Sequence, residues 1–215
     1  FGAIYESTGA AKSVALGIVK MSKGKFTASI ITIITGLLTF GGISGFVVFF
    51  VIYPIALHLF QENNISRRIL PGAISAGCWT FSMIAPASPS IQNVISSRVL
   101  GTPMSAALIP GIVATIFELV AIIIWLEYRT AYTKKKGQFF NDPTLTPLPE
   151  SEDVDMSTDK LPNFILSLLP ILVIVLTFNI WPDIFQVETS VLLGTILALV
   201  LFGKYLPGTG LERII

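Results

Sequence analysis

Charge is what this sequence has least of. Only 13% of its 215 residues are Asp, Glu, Lys or Arg, against about 25% in an ordinary soluble domain. Hydrophobic residues make up 53% and the mean hydropathy is +0.77, the composition of an integral membrane protein. The formal net charge is +1, and the basic residues are scattered among short loops, which excludes the basic stripe of a nucleic-acid binder. Cysteine occurs once, at Cys78, and histidine once, at His58. A lone cysteine forms no internal disulfide, and with one histidine there is no metal-ligand spacing, so neither metal nor cofactor is expected. The apolar stretches hold no Ser/His/Asp set and no acid pair, which leaves a membrane-embedded enzyme without its usual chemistry. Phe1 opens the chain without a basic region, short apolar core and cleavage site, and Ile215 closes it without a tail, so the sequence reads as an excerpt of a longer protein.

What is abundant is uncharged length. Residues 26–61, 69–97, 99–117, 161–182 and 189–203 contain no Asp, Glu, Lys or Arg. The run 161–182 would make roughly 33 Å of helix, a match for a hydrocarbon core of about 30 Å. A further span runs from about Pro103 to Glu127, interrupted by Glu118 and closed by Trp125, Tyr128 and Tyr132 at an interfacial aromatic belt. The last run, 189–203, is short. Residues 26–61 would make roughly 54 Å of helix, far more than one crossing needs. "TFGGISG", residues 39–45, is the expected break, because three glycines in five positions weaken helix and permit positive backbone torsions. "ILPGAISAGCWTFSMIAPASPSIQNVISS" breaks similarly between Pro86 and Ser90, with Ser88 as N-cap and Pro89 as first helical residue.

The basic residues test this layout. If 26–61 is a re-entrant hairpin, 69–97 crosses once and 103–127 crosses back, then Lys20, Lys23, Lys25, Arg67, Arg68 and Lys134 to Lys136 share one side. Only Arg98 lies opposite. The positive-inside rule makes the basic side cytoplasmic, placing Asp183 and Glu188 outside and Lys204 and Arg213 inside. Two full crossings of 26–61 give the same sides. The fold class expected is all-α integral membrane: a polytopic bundle with broken helices and a re-entrant hairpin, divided into a transport region 1–127, a cytoplasmic hydrophilic linker 128–160 and the start of a second membrane repeat, 161–215. The linker holds 11 of the 27 charged residues, with prolines at 143, 147 and 149, and reads as a solvated spacer in preference to a docking patch.

A helix that begins inside the membrane leaves its first N–H groups unsatisfied by lipid. With the positive end of the helix dipole, such a start favours an anion, the device by which discontinuous helices of secondary transporters hold carboxylates. Ser82, Ser88, Ser90, Gln92 and Asn93 are therefore candidate substrate ligands, faced by Thr39, Gly41, Gly42 and Ser44 of the glycine-rich tip. The plainer alternative is that both breaks serve helix packing. Glu118 is the one acid well inside an apolar span and hence the candidate for the coupling proton, though a glutamate bonded to a neighbouring helix is the commoner reading. His58 reads as interfacial, and Cys78 and Trp79 as packing residues. Glu6 and Lys12 beside "STGAA" suggest a helix start near Ser7 or Thr8.

"FGAIYESTGAAKSVALGIV", "GFVVFFVIYPIALHL" and "GCWTFSMIAPASPSIQN", in this order and separation, resemble the gluconate permease family of bacterial secondary transporters. The likeness runs through residue 124 and more weakly through the later helices. It rests on Phe1, Gly2, Glu6, Thr8, Gly9, Ala10 and Ala11 at the start and on Pro86 and Pro89 at the later break. The resemblance implies inverted repeats, a multi-pass homodimer in the bacterial inner membrane, and symport of an organic acid anion with protons. Gluconate permeases usually carry a histidine before the break and Pro-Pro-His-Pro-Gly at it, where Ser82 and "PASPS" stand here; Phe46 replaces an acid in the first broken element. Gluconate or another small hydroxy or keto acid, held by backbone amides, Ser, Gln and Asn, is the substrate expected. The second repeat's broken helices are not among these residues, so this stretch alone is not expected to transport. A sodium-coupled carboxylate carrier or cation antiporter with the same broken helices is the alternative, and a non-transporting scaffold a third.

Overall fold

The computed structural model describes residues 1–22, 26–146, 161–181 and 184–206. The acidic run at 150–155 and the side-charge assignments of Lys23, Lys25, Asp183 and Arg213 lie outside the described residues. Among the described residues the protein is all-helical: α1 Gly2–Ser7, α2 Ala10–Ser22, α3 Thr27–Phe40, α4 Gly45–Glu62, α5 Leu70–Trp79, α6 Phe81–Ile84, α7 Ile91–Leu100, α8 Leu108–Lys135, α9 Phe164–Ile180 and α10 Val187–Phe202. Three helical stretches, Gly45–Glu62, Leu108–Lys135 and Glu188–Tyr205, are long and apolar enough to cross a membrane.

Glycine and hydroxyl residues set the interruptions. Gly9, at φ +71°, separates α1 from α2 while Thr8 Oγ1 donates to Ile4 O at 2.6 Å, so the residues expected to start a helix instead end one, and the new helix begins at Ala10. Gly41, Gly42 and Ile43 return their N–H groups to Leu37, Thr39 and Leu38 carbonyls, closing α3 at the expected tip. Thr80, at φ −124° and ψ −110°, adds a bend between α5 and α6 that periodicity did not foretell. Its hydroxyl donates back to Ala76 O, a side-chain substitute for the interrupted helix ladder.

α3 and α5 form the closest helix pair. Gly77 lies so near α3 that a Cβ added there would meet Thr35 Oγ1, Thr32 O and, at 2.8 Å, Gly36 N. Thr32, Thr35 and Thr39 form a buried stripe one helical turn apart facing this contact; Thr32 Oγ1 donates to Ala73 O at 2.8 Å. Small residues and interhelical hydrogen bonds are what hold helices together where lipid is as apolar as the core. Ile31, Ile34 and Leu38 of α3, with Ile52, Ile55 and Phe60 of α4 and Ile74 of α5, complete the interior.

Two ends follow from the contacts. Ser29, at the start of α3, donates to Glu127 Oε1 of α8 at 2.5 Å, and Asn64, just past α4, accepts from Phe140 N beyond α8 at 3.3 Å. The outer ends of α3 and α4 thus lie together at the basic end, with the tip at 41–44 pointing away. There, the segment after α8 folds onto the α4–α5 turn: Arg67 donates to Phe140 O at 3.0 Å and Thr146 O at 3.1 Å, and its guanidinium covers the Phe140 ring. Arg68 bonds Thr144 and pairs with Asp142 at 3.4 Å. Residues 137–146 of the hydrophilic segment thus form a clasp. At the opposite end Arg98 of α7 pairs with Glu188 of α10.

Candidate substrate site at two facing helix breaks

The two breaks expected from sequence meet. Gly42, at φ +89°, faces Pro89, whose Cγ lies 3.3 Å from where a Cβ on Gly42 would sit; any side chain there would be strained and crowded. Ser88, fully buried, donates its hydroxyl to Phe40 O at 3.1 Å and accepts from Ser90 N at 3.3 Å. One side chain thus ties the last turn of α3 to the start of the second broken element. Ala87, at φ +63°, is held by its N–H to Met104 O at 3.1 Å.

Helix α7 begins at Ile91 with Ser90 as N-cap, not at Pro89 with Ser88 as N-cap; the Ser88 hydroxyl serves Phe40 and Ser90 N, which delays the helix by two residues. Neither Ser90, at the start of α7, nor Ser44, at the start of α4, caps its helix through its side chain. Both helices therefore present uncapped first-turn N–H groups beside the Gly42–Pro89 contact. The Ser90 hydroxyl is buried without a hydrogen-bond partner. Gly42 and Ser44 are exposed.

The remaining candidates divide. Gly41 is buried at the tip, and Thr39 Oγ1 is buried with no oxygen or nitrogen partner, its polar neighbour being the Cys78 thiol. Ser82 of α6 is buried and donates back to α5, to Gly77 O at 2.8 Å and Cys78 O at 3.3 Å, so its hydroxyl bridges the Thr80 bend. Asn93 donates to Ala85 O at 3.2 Å, closing the end of α6, while Gln92 is exposed on α7. Glu118 is not at the breaks: it sits in a recess of about 410 Å³ between α5 and α8, lined by Gly72, Ala76, Ile122 and Trp125, with Oε2 buried and unpartnered. His58 contacts Glu62 at 3.3 Å on α4.

Helix α9 supplies a third wall that sequence reasoning missed. Phe164 covers Gly17, Ile171 stands 2.6 Å from where a Cβ on Gly41 would sit, and Asn179 donates to Ala87 O at 3.2 Å. Tyr5 OH and Ser13 Oγ anchor its start by bonds to Ser167 O and Pro162 O, each 2.6 Å. Asn179, a lone amide at the end of an apolar run, is the one signal of this wall in the sequence. Phe46, 68% exposed, packs on Trp79 with ring centroids 5.4 Å apart, so this flank of the tip is aromatic.

Broken apolar helices whose starts meet are an arrangement that many secondary transporters use. The model of the GntP family permeases matches residues 1–203, and the chain belongs to that family, whose members are transporters, not enzymes. The chain is also 35% identical over 178 residues, 81% of its length and 38% of the relative's, to "Uncharacterized transporter YxjC" of Bacillus subtilis (strain 168). It thus spans about two fifths of that relative. No solved structure matches it.

Proposed function

We propose that the whole protein is a secondary transporter that carries gluconate or another small hydroxy or sugar acid anion across the bacterial inner membrane by proton symport. The observation that carries this reading is the meeting of Gly42 and Pro89 with the uncapped starts of α4 and α7 on either side. Amides at helix starts in a low-dielectric site favour a carboxylate through the helix dipole and through direct hydrogen bonds. Ser44, Ser90 and Gln92 then supply hydroxyl and amide partners for substrate hydroxyls, with Thr39, Gly41 and Ser82 shaping the walls and Ser88 and Asn93 fixing the break.

In this reading α3 and α4 are the re-entrant hairpin. The 14 residues of α3 rise about 21 Å, short of a core of about 30 Å, whereas the 18 of α4 rise about 27 Å, so the reading rests on α3. The transport region is 1–127, residues 128–160 connect it on the cytoplasmic side, 161–215 begin the second repeat, and the protein works as a multi-pass homodimer in lipid. Glu118 carries the coupling proton; an unpartnered carboxylate within a membrane span is a proton-site candidate. Substrate and proton crossing together lower the charge moved through the bilayer.

The test is uptake by proteoliposomes holding the full-length protein, with radiolabelled gluconate and small hydroxy acids under an imposed proton gradient. Proton-driven uptake of one acid, lost in Ser88→Leu, is expected. Uptake driven only by sodium, or of no acid, overturns proton symport.

A further inference from the structure

Among the described residues Arg98 is the one cation that lines a recess of about 400 Å³, together with Ser97, Thr102, Ser105, Asn179 and Gln186. We infer that this recess is the outer vestibule and that Arg98 is its capture residue for the substrate carboxylate, covered at rest by Glu188; the inference rests on the transport reading above.

Three observations converge. The recess borders the second helix break. It shares Ser97, Thr102 and Met104 with a second recess, of about 170 Å³, whose walls include Pro86 and Asn93, and its own Asn179 holds Ala87 O within the break. Capture point and break also belong to one element: Arg98 occupies the last turn of α7, whose first turn carries the uncapped amides. The seven positions from Ile91 to Arg98 put them about 10 Å apart along the helix axis.

The Arg98–Glu188 pair is built to open. Both side chains are more than half exposed, 59% and 56%, and exposed ion pairs hold weakly. Each charge has a second source of support that does not depend on the other: Arg98 lies at a helix C-terminus and Glu188 in the first turn of α10, the ends at which a cation and an anion are favoured. An arriving carboxylate can take both guanidinium N–H groups in the bidentate arrangement, releasing Glu188 to water. Glu188 keeps the vestibule near neutral between arrivals, so that small inorganic anions are not held there.

The experiment is initial-rate uptake of radiolabelled gluconate, glycerate and lactate into right-side-out vesicles carrying the full-length protein, across ionic strengths. For whichever acid the unmodified protein carries, Arg98→Gln is expected to raise KM about tenfold with kcat within about twofold, the loss typical of one charge-assisted hydrogen bond. Arg98→Lys should recover part of the loss. Glu188→Gln should lower KM by about twofold to fivefold by removing the competing carboxylate. The unmodified protein's KM should rise with salt, and that dependence should flatten in Arg98→Gln. An unchanged KM in Arg98→Gln with uptake intact overturns the capture role and leaves the transport reading standing, as does a Glu188→Gln variant that mimics Arg98→Gln, since that marks the pair as a structural latch. No uptake of any of the acids by the unmodified protein overturns both.

Discussion

At the scale of single residues, two serines two positions apart carry different loads. Ser88 Oγ bonds Phe40 O and Ser90 N, whereas the Ser90 hydroxyl is buried with no partner. Removing a made hydrogen bond costs about 0.5–1.5 kcal/mol, whereas removing an unmade one costs little and can stabilise. Ser88→Ala should therefore lower the thermal midpoint of the purified full-length protein by a few degrees and weaken uptake as a consequence. Ser90→Ala should leave the midpoint unchanged and raise KM for the acid several-fold. Thermal unfolding and uptake on the same preparations separate the cases, and a Ser90→Ala variant with unaltered KM removes that hydroxyl from the binding site. Both serines were recognisable in "PASPS" as groups needing partners in lipid. Their roles were not, because the partner of Ser88 is 48 residues away.

At the scale of elements, glycines determine how the broken helices pack. Gly77 and Gly72 lie on the same short helix, α5, and share its intrinsic helix propensity, yet a Cβ on Gly77 meets α3 backbone while one on Gly72 meets nothing within 4 Å. Backbone cannot yield as a flexible side chain can, so Gly77→Ala should destabilise by about 1–3 kcal/mol. Gly72→Ala should be neutral or stabilise by up to about 1 kcal/mol through better helix propensity. Thermal unfolding of the two variants side by side checks this; equal midpoints would mean that α3 and α5 are not packed as closely as the Gly36–Gly77 approach requires. Sequence alone located the hairpin tip because Gly41, Gly42 and Gly45 are local punctuation. It could not locate the Thr80 bend, since "GCWTFSMI" has no proline or glycine after Gly77 and a threonine in an apolar run looks like ordinary helix.

At the scale of the molecule, the basic end is closed by a clasp between the α4–α5 turn and residues 137–146. Asp142 is its acidic member. Hydrogen bonds from the Thr144 hydroxyl and backbone N–H, with Arg68 beside them, hold its carboxyl below the ordinary aspartate range. A carboxyl depressed in the folded state contributes stability that is present above its unfolded value, about 3.9, and lost as pH falls through the lower folded value. The clasp should therefore be indifferent to pH between about 5 and 8 and loosen below about 4. Asp142→Asn should loosen it at neutral pH. Distances between spin labels placed at Gln61 and Asn141, both exposed, report this: a clasp still closed in Asp142→Asn would assign its hold to Arg67 and Phe140 alone. From sequence the hydrophilic segment reads as a spacer throughout; its polar composition gives no sign that residues 140–146 return to Arg67 and Arg68.

What the sequence by itself determined is the membrane class, the helix breaks at the glycine-rich tip and at Pro86 to Ser90, and its family likeness. These depend on local quantities: the scarcity of charge, the length of apolar runs against the bilayer, and glycine and proline at fixed positions. Only the tertiary structure decided that the two breaks touch, that Ser82 bonds back to α5 across the Thr80 bend, that α7 starts at Ile91 and that α9 closes the third side. The physical reason is that a polar group in an apolar medium takes whichever partner the packing brings within reach. Here that partner is 48 residues away for Ser88 and 92 for Asn179, distances along the chain over which composition and periodicity carry no information.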